Sequence, residues 1–367
     1  MKFSVNSETL SKRVKMLGKV AQSQALPILD NILVEVIDET LKLTASDSEN
    51  TLYTEIPLES CDDGECKVCI DAKTIADALA NIPQQPITIT IENEVSIQYQ
   101  NGVCHFACMN AMEYPKPLNL ADEETMITMP SDILVECVSR CTPFLANDDI
   151  RVIMGCVAFD IKEDCTNIVS SDGSSLMKNT LNIKSEKPFT FSLPKKPANL
   201  LRQVFGGTIE TTTRANDKYA EFRCQEWKLT CRLQEGRYPN YNSVIPKNYN
   251  KRVTLDKATL KSALKRVQPM GNQASNLVKI DISYNNMEVS TYDIDFSTSA
   301  KETITCDCGE YLTIGMNSTK ILSILDLIPG AIVSIDFEDQ TRPWVITPEE
   351  NQDNLQILAL QMPMYLD

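Results

Sequence analysis

The sequence predicts an α+β protein made of three consecutive copies of one folding unit. Three helical segments carry this prediction: Asp71–Pro83, Pro194–Gly206 and Asn317–Pro329 begin 123 residues apart both times (194 − 71 and 317 − 194). Each segment places apolar or small side chains at i, i+3 and i+7, which is one face of a helix. Each ends in a helix-breaking Pro or Gly. A fixed period of this kind indicates tandem repeats.

A further helix opens each copy. The segment Ser7–Val20 places Leu10, Val14 and Leu17 on one face, and the same spacing recurs in the other two copies. The equivalent apolar residues are Leu134, Val138 and Cys141 in the second copy, and Leu260, Leu264 and Val267 in the third. The predicted N-caps of these helices are Ser7, Ser131 and Asp256.

Two strand-like runs follow each opening helix, and an aspartate stands at the end of the second run, within two residues of it: Asp47, Asp172 and Asp293. The runs are Ile32–Val36 and Leu41–Ala45, then Cys156–Ile161 and Asn167–Ser171, then Val278–Ser283 and Met287–Tyr292. Further strands precede and follow the repeated helical segment, with side chains alternating at a period of two. Each copy is therefore expected to hold two helices and about eight short strands.

Proline-containing stretches mark the boundaries between the copies. Glu113–Pro115 and Arg237–Pro239 each open a linker, and their prolines are 124 residues apart (239 − 115). The predicted domains are residues 1–122, 123–250 and 251–367. The period exceeds that of a solenoid, so each copy is long enough to fold alone. Similar domains joined head to tail close into a ring or continue as a fibre, and a ring is the simpler expectation.

Composition excludes several classes of protein. No run of about 18 apolar residues predicts a membrane span, and the first ten residues lack the apolar core of a signal peptide. Thirteen Cys without such a signal indicate reduced thiols in the cytoplasm. The pairs Cys66/Cys69 and Cys306/Cys308 do not complete a zinc site, since the chain has one His. We therefore expect no metal and no cofactor.

The net charge of −15 argues against tight DNA binding by the outer surface, but the helices carry a basic bias. The helix from Ser131 is an exception, with Glu136 and only Arg140. If the helices line the hole of a ring, that hole is positively charged inside an acidic shell. Such a hole suits a polyanion that is bound through its backbone charges, independently of its base sequence. For any single Lys, a solvated helix face is the simpler interpretation.

Four short motifs occur in order along the chain: Leu26–Asn31 (LPILDN), Ser170–Gly173 (SSDG), Gly236–Tyr241 (GRYPNY) with Ile245–Lys247, and Met362–Met364. Their order and spacing resemble the beta subunit of bacterial DNA polymerase III, the DNA sliding clamp, over the full length. The resemblance implies three tandem DNA-clamp domains, each with two helices packed on antiparallel sheets. Two subunits would join head to tail into a ring.

The function implied by the resemblance is that of a processivity factor without catalysis. A clamp loader opens the ring with ATP and closes it on double-stranded DNA, independently of sequence. The closed ring then tethers the replicative DNA polymerase and other DNA enzymes. The implied partners are thus a second copy of the chain, DNA, the loader and these enzymes, with no membrane.

The resemblance also implies a pocket between the second and third domains that accepts a short linear motif of each partner. Its residues here would be Met154, Ser171, Gly173, Leu176, Pro239, Val244, Asn317, Leu360, Met362, Pro363, Met364 and Leu366. The residues alone also allow a simpler interpretation, in which the C-terminal segment from Leu360 to Leu366 is a final edge strand and its Met side chains belong to the core. Ser174, Ser175, Lys320 and Tyr365 depart from the usual pattern of the family, which leaves the motif preference open.

Two further sets of residues complete the prediction. The DNA-facing residues are Lys12, Arg13, Lys19, Lys73, Arg151, Lys195, Lys196, Arg202, Lys261, Lys265 and Arg266. Lys73, Arg151, Lys195 and Lys196 match family positions, and the others follow from the charge bias. At the dimer seam the first domain should meet the third, with Phe106 and Met270 near the matching positions, although both could be ordinary core.

The residues allow two alternative functions. An enzyme could use Ser174 or Ser175 with Asp172 and His105, but no nucleophile elbow surrounds either serine. A tandem-domain scaffold without DNA function is the second alternative. The basic helices and the missing signal peptide argue against it, and retention on DNA circles would distinguish the two.

Overall fold

The structure is a computed structural model that describes residues 1–22, 26–116, 118, 120, 125–207, 209–247, 249 and 251–366. Its contacts divide the chain into two compact units. The first unit comprises Met1–Glu136 and Lys196–Leu233, and the second comprises Cys137–Lys195 and Gln234–Asp367. The division falls within the second repeat, and the domain boundaries predicted from the sequence stay a prediction.

The same order of elements, βαββββαβββ, recurs three times in the described residues, with two additional short strands in the first repeat. The first repeat contains β1 (Lys2–Asn6), α1 (Ser7–Leu17), β2 (Asn31–Ile37), β3 (Thr40–Ser46), β4 (Asn50–Pro57), the short β5 (Ser60–Cys61), β6 (Cys66–Asp71), α2 (Ala72–Leu79), β7 (Pro86–Ile91), β8 (Glu94–Tyr99), β9 (Gly102–Ala107) and the short β10 (Met109–Asn110). The second contains β11 (Thr125–Pro130), α3 (Ser131–Cys141), β12 (Cys156–Ile161), β13 (Thr166–Ser171), β14 (Ser175–Leu181), β15 (Phe189–Pro194), α4 (Lys195–Val204), β16 (Glu210–Ala215), β17 (Tyr219–Cys224) and β18 (Trp227–Arg232). The third contains β19 (Lys251–Asp256), α5 (Lys257–Val267), β20 (Leu277–Ser283), β21 (Asn286–Asp293), β22 (Thr298–Thr305), β23 (Leu312–Asn317), α6 (Ser318–Leu327), β24 (Ile332–Phe337), β25 (Trp344–Pro348) and β26 (Leu355–Gln361). The predicted α+β repeat is confirmed.

The strands form antiparallel sheets. In the first unit the orders are β5-β1-β7-β8-β9 and β10-β6-β2-β3-β4-β18-β17-β16-β11. In the second unit they are β15-β12-β13-β14-β26-β25-β24-β19 and β22-β21-β20-β23. Each of the two larger sheets thus joins strands of two successive repeats, at β4–β18 and at β14–β26.

The helices pack by the apolar faces that the sequence predicts. Leu10, Val14 and Leu17 are fully buried, as are the equivalent residues of α3 and α5. For α2 the sequence predicts a face of Ile75, Ala78 and Ile82. The buried residues are instead Ala72, Ile75 and Leu79, whereas Ala78 and Ile82 are only half-buried. The helix ends at Leu79, so the i+7 position of the predicted face falls beyond it.

The cap prediction is right for one helix and wrong for another. Asp256 caps α5, because its Oδ1 accepts the N–H of Thr259 at 2.7 Å. For α1 the cap is Asn6, whose Oδ1 accepts the N–H groups of Glu8 and Thr9. Ser7 is instead the first helical residue, and its hydroxyl donates to the carbonyl of Pro83 at 2.8 Å. The side chain of Asn6, one position earlier, reaches the free N–H groups of the first helical turn. Asn6, and not Ser7, is therefore the N-cap.

All thirteen cysteines are free thiols. Burial raises the pKa of Cys141 to about 12 and that of Cys306 to about 11, so both thiols stay protonated at neutral pH. Across the described residues, no His, Cys, Asp and Glu side chains gather into a group of three or more that could hold a metal ion. Of the helices in that same part of the chain, none is long and apolar enough to cross a membrane.

Candidate functional site

The centre of the predicted pocket is the tight turn between β13 and β14, in the second unit. Asp172 organises this turn: its Oδ1 accepts the N–H groups of Ser174 and Ser175 at 2.9 and 2.7 Å. The hydroxyl of Ser171 closes the turn, donating to the carbonyl of Ser175 and accepting the N–H of Gly173. The turn is thus fixed by its own polar groups, as expected of an Asp turn.

Two cations flank the Asp172 turn. Lys320, in the first turn of α6, donates to Asp172 Oδ2 at 2.5 Å. Arg151 donates to the backbone carbonyl of Asp172 at 2.9 Å and forms an ion pair with Asp148. Burial alone would raise the pKa of Asp172, but the hydrogen bonds from Lys320 and the turn N–H groups outweigh it and hold that pKa below its ordinary value. Asp172 is therefore a carboxylate at neutral pH.

Gly173 is required by the backbone of this turn. Its φ of +90° lies in the region that side chains rarely adopt. A Cβ at this position would also lie 2.5 Å from Nη1 of Arg151 and 3.9 Å from the Cε of Met154. The predicted pocket residues Gly173 and Met154 are thus neighbours, and Arg151 covers the same face of the turn.

Leu176 and Leu360 form the apolar floor beneath the turn. They are directly opposite each other in the β14–β26 pair, and both are buried. They pack in one cluster with Tyr241 and Val345, and Tyr238 lies against it. The hydroxyl of Tyr238 also accepts the N–H of Ser171 at 2.9 Å, so this side chain links the floor to the turn.

Residues Met362–Leu366, the tail, follow β26 and run past the turn. Strand β26 ends at Gln361 and lies between β14 and β25, so it is an inner strand and not the edge strand of the simpler interpretation. The N–H of Met362 donates to the carbonyl of Ser174 at 2.8 Å, and the N–H of Met364 donates to the carbonyl of Gly315 at 2.8 Å. Met362 remains more than one-third exposed, so it is not core.

Two cavities open beside this tail. A cavity of about 760 Å³ is lined by Val244, Pro246, Met362 and neighbouring polar residues. A second cavity, of about 330 Å³, is lined by Gly315 together with the tail residues Met362, Pro363, Met364 and Leu366. Both are lined by Thr341 as well as by Met362. The tail therefore contributes apolar walls to two adjacent cavities that remain accessible.

The remaining predicted pocket residues have other positions. Asn317 caps α6, since its Oδ1 accepts the N–H of Lys320 at 3.0 Å, and Pro239 is exposed. Neither residue lines the two cavities just described. The sequence analysis did not predict Tyr238 as a site residue, although it lies in the GRYPNY motif. It also did not predict Thr341, because a polar residue in a loop carries no sequence pattern that marks a binding site.

The first unit contains a turn of the same design. Asp47 directly follows β3, and its Oδ1 accepts the N–H groups of Glu49 and Asn50 at 3.0 and 2.6 Å. Its Oδ2 pairs with Nζ of Lys196, in the first turn of α4, at 2.5 Å. Burial of Asp47 opposes ionisation, but Lys196 and Asn50 hold its pKa below the ordinary value. Lys196 is thus engaged by a carboxylate.

Many of the predicted DNA-facing cations are paired in this way. Among the described residues, six of the eleven form ion pairs: Lys12 with Glu8, Arg13 with Glu226, Arg151 with Asp148, Lys196 with Asp47, Lys261 with Asp326, and Arg266 with Glu302. Arg202 bonds to the amide of Asn199. Lys19, Lys73, Lys195 and Lys265 have no carboxylate partner in the described part of the chain. The positive surface is therefore weaker than the count of basic residues suggests.

Arg13 differs most from its predicted role. Its side chain is only 17% exposed, and its guanidinium lies 4.8 Å from the ring centroid of Trp227 while pairing with Glu226. All three residues belong to the first unit. Cation–π and ionic contacts of a largely covered guanidinium stabilise the fold. Arg13 is thus held by contacts within its unit.

The predicted seam residues lie at strand and helix ends. Phe106 is half-buried on β9, the last strand of its sheet. Met270 is 43% exposed in the turn after α5, and its carbonyl accepts the hydroxyl of Thr298, the first residue of β22. Strand β22 is also the last strand of its sheet.

The structure gives the enzyme alternative no support. Ser174 donates its hydroxyl to Asp172 as part of the turn, while Lys320 occupies the other carboxylate oxygen. His105 bonds instead to Glu94, at 2.9 Å, in the first unit. A hydrolase triad needs the serine, the histidine and the carboxylate joined by hydrogen bonds, and these contacts do not join them.

Comparisons with known proteins agree along the whole chain. Residues 1–119 match the family model of the DNA polymerase III beta subunit, N-terminal domain, and residues 242–365 match that of the C-terminal domain. The beta sliding clamp of Haemophilus influenzae is 25% identical, with 100% of both chains covered. Crystal structures of the DNA polymerase III beta subunit from Pseudomonas aeruginosa and Thermotoga maritima superpose with TM-scores of 0.93 and 0.90, at 20% and 22% identity, and again cover 100% of both chains. The chain therefore belongs to the DNA polymerase III beta subunit family.

Proposed function

We propose that two copies of this chain join head to tail into a ring that encircles double-stranded DNA. The family to which the chain belongs is that of the DNA sliding clamp, a non-catalytic processivity factor. The observation that carries the proposal is the threefold repeat of one element order along a chain whose two ends match the two terminal domains of that family. The tandem-domain scaffold receives no support from these matches.

The proposal assigns three domains, 1–122, 123–250 and 251–367, to each subunit. A loader that uses ATP opens the ring and closes it on DNA, which is held without sequence readout. Lys19, Lys73, Lys195 and Lys265, whose charges are not engaged by carboxylates in the described residues, are the first candidates for phosphate contacts. The protein works in the cytoplasm, where its thirteen thiols stay reduced.

The tail and the Asp172 turn form the proposed docking site for partner proteins. A short segment of the replicative polymerase or of another DNA enzyme would place apolar side chains against Met362, Pro363, Met364 and Leu366. Exposed Met side chains adapt to varied apolar partners, which suits a site shared by several proteins. Lys320 and Arg151 sit at the turn, although each is already engaged by a carboxylate.

Retention on DNA circles tests the proposal. The protein is loaded onto a primed circle with its own loader and ATP, washed at high salt, and half of the sample is then linearised. Topological linkage predicts retention on circles and release from linear DNA, because a closed ring leaves only over an end. Equal loss from both forms, with a loader active on a control clamp, would overturn the proposal.

A further inference from the structure

The tail begins at Met362, and the carbonyl of this residue lacks the partner that the sheet would normally give it. The N–H of Met362 donates to the carbonyl of Ser174 across the β14–β26 pair at 2.8 Å. In an antiparallel ladder the two residues of such a pair exchange both bonds, so the N–H of Ser174 would ordinarily donate to Met362 in return. That N–H is instead donated to Oδ1 of Asp172 within the turn. The turn thus takes away the ladder donor of the Met362 carbonyl.

The side chain of Gln361 supplies the missing donor. Its Nε2 donates to the carbonyl of Met362 at 3.1 Å, and its Oε1 accepts the hydroxyl of Ser175 at 2.7 Å. Gln361 and Ser175 are directly opposite each other, and they are only 2% and 1% exposed. A buried amide is costly unless its oxygen and its nitrogen both have partners, and here both do. Because the hydroxyl occupies Oε1, the Nε2 faces Met362.

These hydrogen bonds continue into the turn. The N–H of Ser175 donates to Oδ1 of Asp172 at 2.7 Å, and Oδ2 of the same carboxylate accepts Nζ of Lys320 at 2.5 Å. The backbone of Met362 is therefore connected, through Gln361 and Ser175, to a carboxylate that a lysine of α6 holds in place.

The Asp47 turn shows that a turn of this design does not need the amide. There the N–H of Glu49 is likewise donated to the carboxylate of Asp47. The residue in the position of Gln361 is Cys231, whose thiol donates to a carbonyl of the neighbouring strand β17. Neither the turn nor the strand pairing thus requires a buried amide. The amide is found at the turn beside which the chain continues as the tail.

Met362 is the tail residue whose position matters to both cavities, since it lines each of them. The next residue, Pro363, has no N–H group, and the next backbone bond of the tail joins Met364 to Gly315. Between these two anchors, the bond from Gln361 fixes the peptide group that joins Met362 to Pro363. The side chain of Gln361 therefore controls the direction in which the tail leaves the sheet.

We propose that Gln361 is a positioning residue of the docking site, which Ser175 orients and which holds Met362 between the two cavities. This inference rests on the proposed docking of partner proteins at the tail. Because Gln361 is buried, it acts through Met362 and not by contact with the partner. A wall that is already in place binds a partner segment more tightly, since less chain entropy is lost on binding.

Gln361→Met tests the positioning role, because methionine has a similar length and no amide. We expect the affinity for a peptide of the replicative polymerase that binds the wild-type protein to fall roughly tenfold. Hydrogen exchange of the tail, in the absence of any partner, should become faster by roughly the same factor. Calorimetry measures the affinity, and mass spectrometry of the C-terminal proteolytic peptide measures the exchange.

Ser175→Ala tests whether the serine acts through Gln361. Loss of the hydroxyl leaves Oε1 of Gln361 without its donor, so the amide is free to turn and the peptide affinity should fall about threefold. The double variant should bind the peptide as Gln361→Met does alone. An affinity loss in the double variant equal to the product of the two single losses would overturn this connection. Ser175→Ala removes a single oxygen atom, so it also carries the test if Gln361→Met does not fold.

Ser170→Ala is the matched control. Ser170 is fully buried on the neighbouring strand β13, and its hydroxyl donates to the carbonyl of Cys141, at the end of α3, at 2.7 Å. This variant should lose thermal stability to the same extent as Ser175→Ala and keep the peptide affinity of the wild type. A loss of affinity in Ser170→Ala as large as that in Ser175→Ala would attribute the effect to general destabilisation and overturn the proposal.

The deletion of Met362–Asp367 separates this inference from the proposed docking site. If the deletion lowers the peptide affinity and Gln361→Met does not, the positioning role is wrong and the docking site stands. If the deletion leaves the peptide affinity unchanged, the docking site is wrong, and the exchange of the tail decides the role of Gln361. Tail exchange in Gln361→Met that is as slow as in the wild type would then overturn the positioning of Met362 as well.

Discussion

The Asp47 turn and the Asp172 turn are built alike, yet they have different surroundings. In both, the carboxylate caps its own hairpin and binds a lysine of the following repeat. Beside the Asp172 turn, however, the chain continues past β26 as the tail from Met362 to Leu366, which lines two cavities. The comparison indicates that the contact between an Asp turn and the lysine of the following repeat is structural. The added tail makes the Asp172 turn, but not the Asp47 turn, a candidate binding site.

Removing the tail gives the largest expected effect. Deleting Met362–Asp367 should lower the affinity for a partner-derived peptide by roughly a hundredfold or more, because the apolar walls of both cavities are lost. The fold should persist, since β26 ends at Gln361. Isothermal calorimetry with a polymerase peptide and a thermal melt measure the two effects. Unchanged peptide affinity would show that partners dock elsewhere.

Displacing the tail should have an intermediate effect. A Cβ on Gly315 would lie 2.6 Å from the carbonyl oxygen of Met364 and 3.0 Å from Leu366. Gly315→Ala should therefore push the tail outward and weaken peptide binding about tenfold, since overpacking costs about 1–3 kcal/mol. Gly206→Ala, at a position with no atom within 4 Å, is the matched control. Equal peptide affinities in the two variants would contradict the placement of the tail.

Matched substitutions of Asp47 and Asp172 compare the two turns directly. Asp47→Asn and Asp172→Asn keep the turn acceptor but lose the charge that binds lysine, and each should lower the free energy of unfolding by about 1–2 kcal/mol. The value is modest because Lys196 and Lys320 remain partly exposed. Only Asp172→Asn should also alter peptide binding. Denaturant unfolding and calorimetry separate the two effects, and a peptide effect in Asp47→Asn would break the comparison.

Lowering the pH should have the smallest and most gradual effect on the free energy of unfolding. The pKa of Asp47 and that of Asp172 both lie below the ordinary value in the folded protein. Their contribution to stability is therefore complete above the ordinary carboxyl pKa of about 4, and it is lost as the pH falls through the lower folded values. The stability difference between wild type and Asp172→Asn should shrink over that range in denaturant titrations. A difference that stays constant down to pH of about 2 would contradict the ionic role of Asp172.

The sequence by itself determined the repeat. The helical segments at Asp71, Pro194 and Asn317, their flanking strands and the three aspartates at strand ends were all visible, because amphipathic periodicity and turn chemistry are local properties. The buried faces of α1, α5 and α6 follow the same periodicity. Asn6 was missed as a cap, since Ser7 is an equally good cap residue and only backbone geometry chooses between them.

Only the tertiary structure decided which charges are free and which strands are edges. Lys196, Lys261 and Arg266 look alike in the sequence as exposed helix cations, but carboxylates distant in the chain engage them. In the same way, only the sheet topology shows that β4 has a neighbour on each side whereas β22 ends its sheet. Ion pairs and strand partners depend on distances between residues far apart in the chain, and a local pattern contains no such distances.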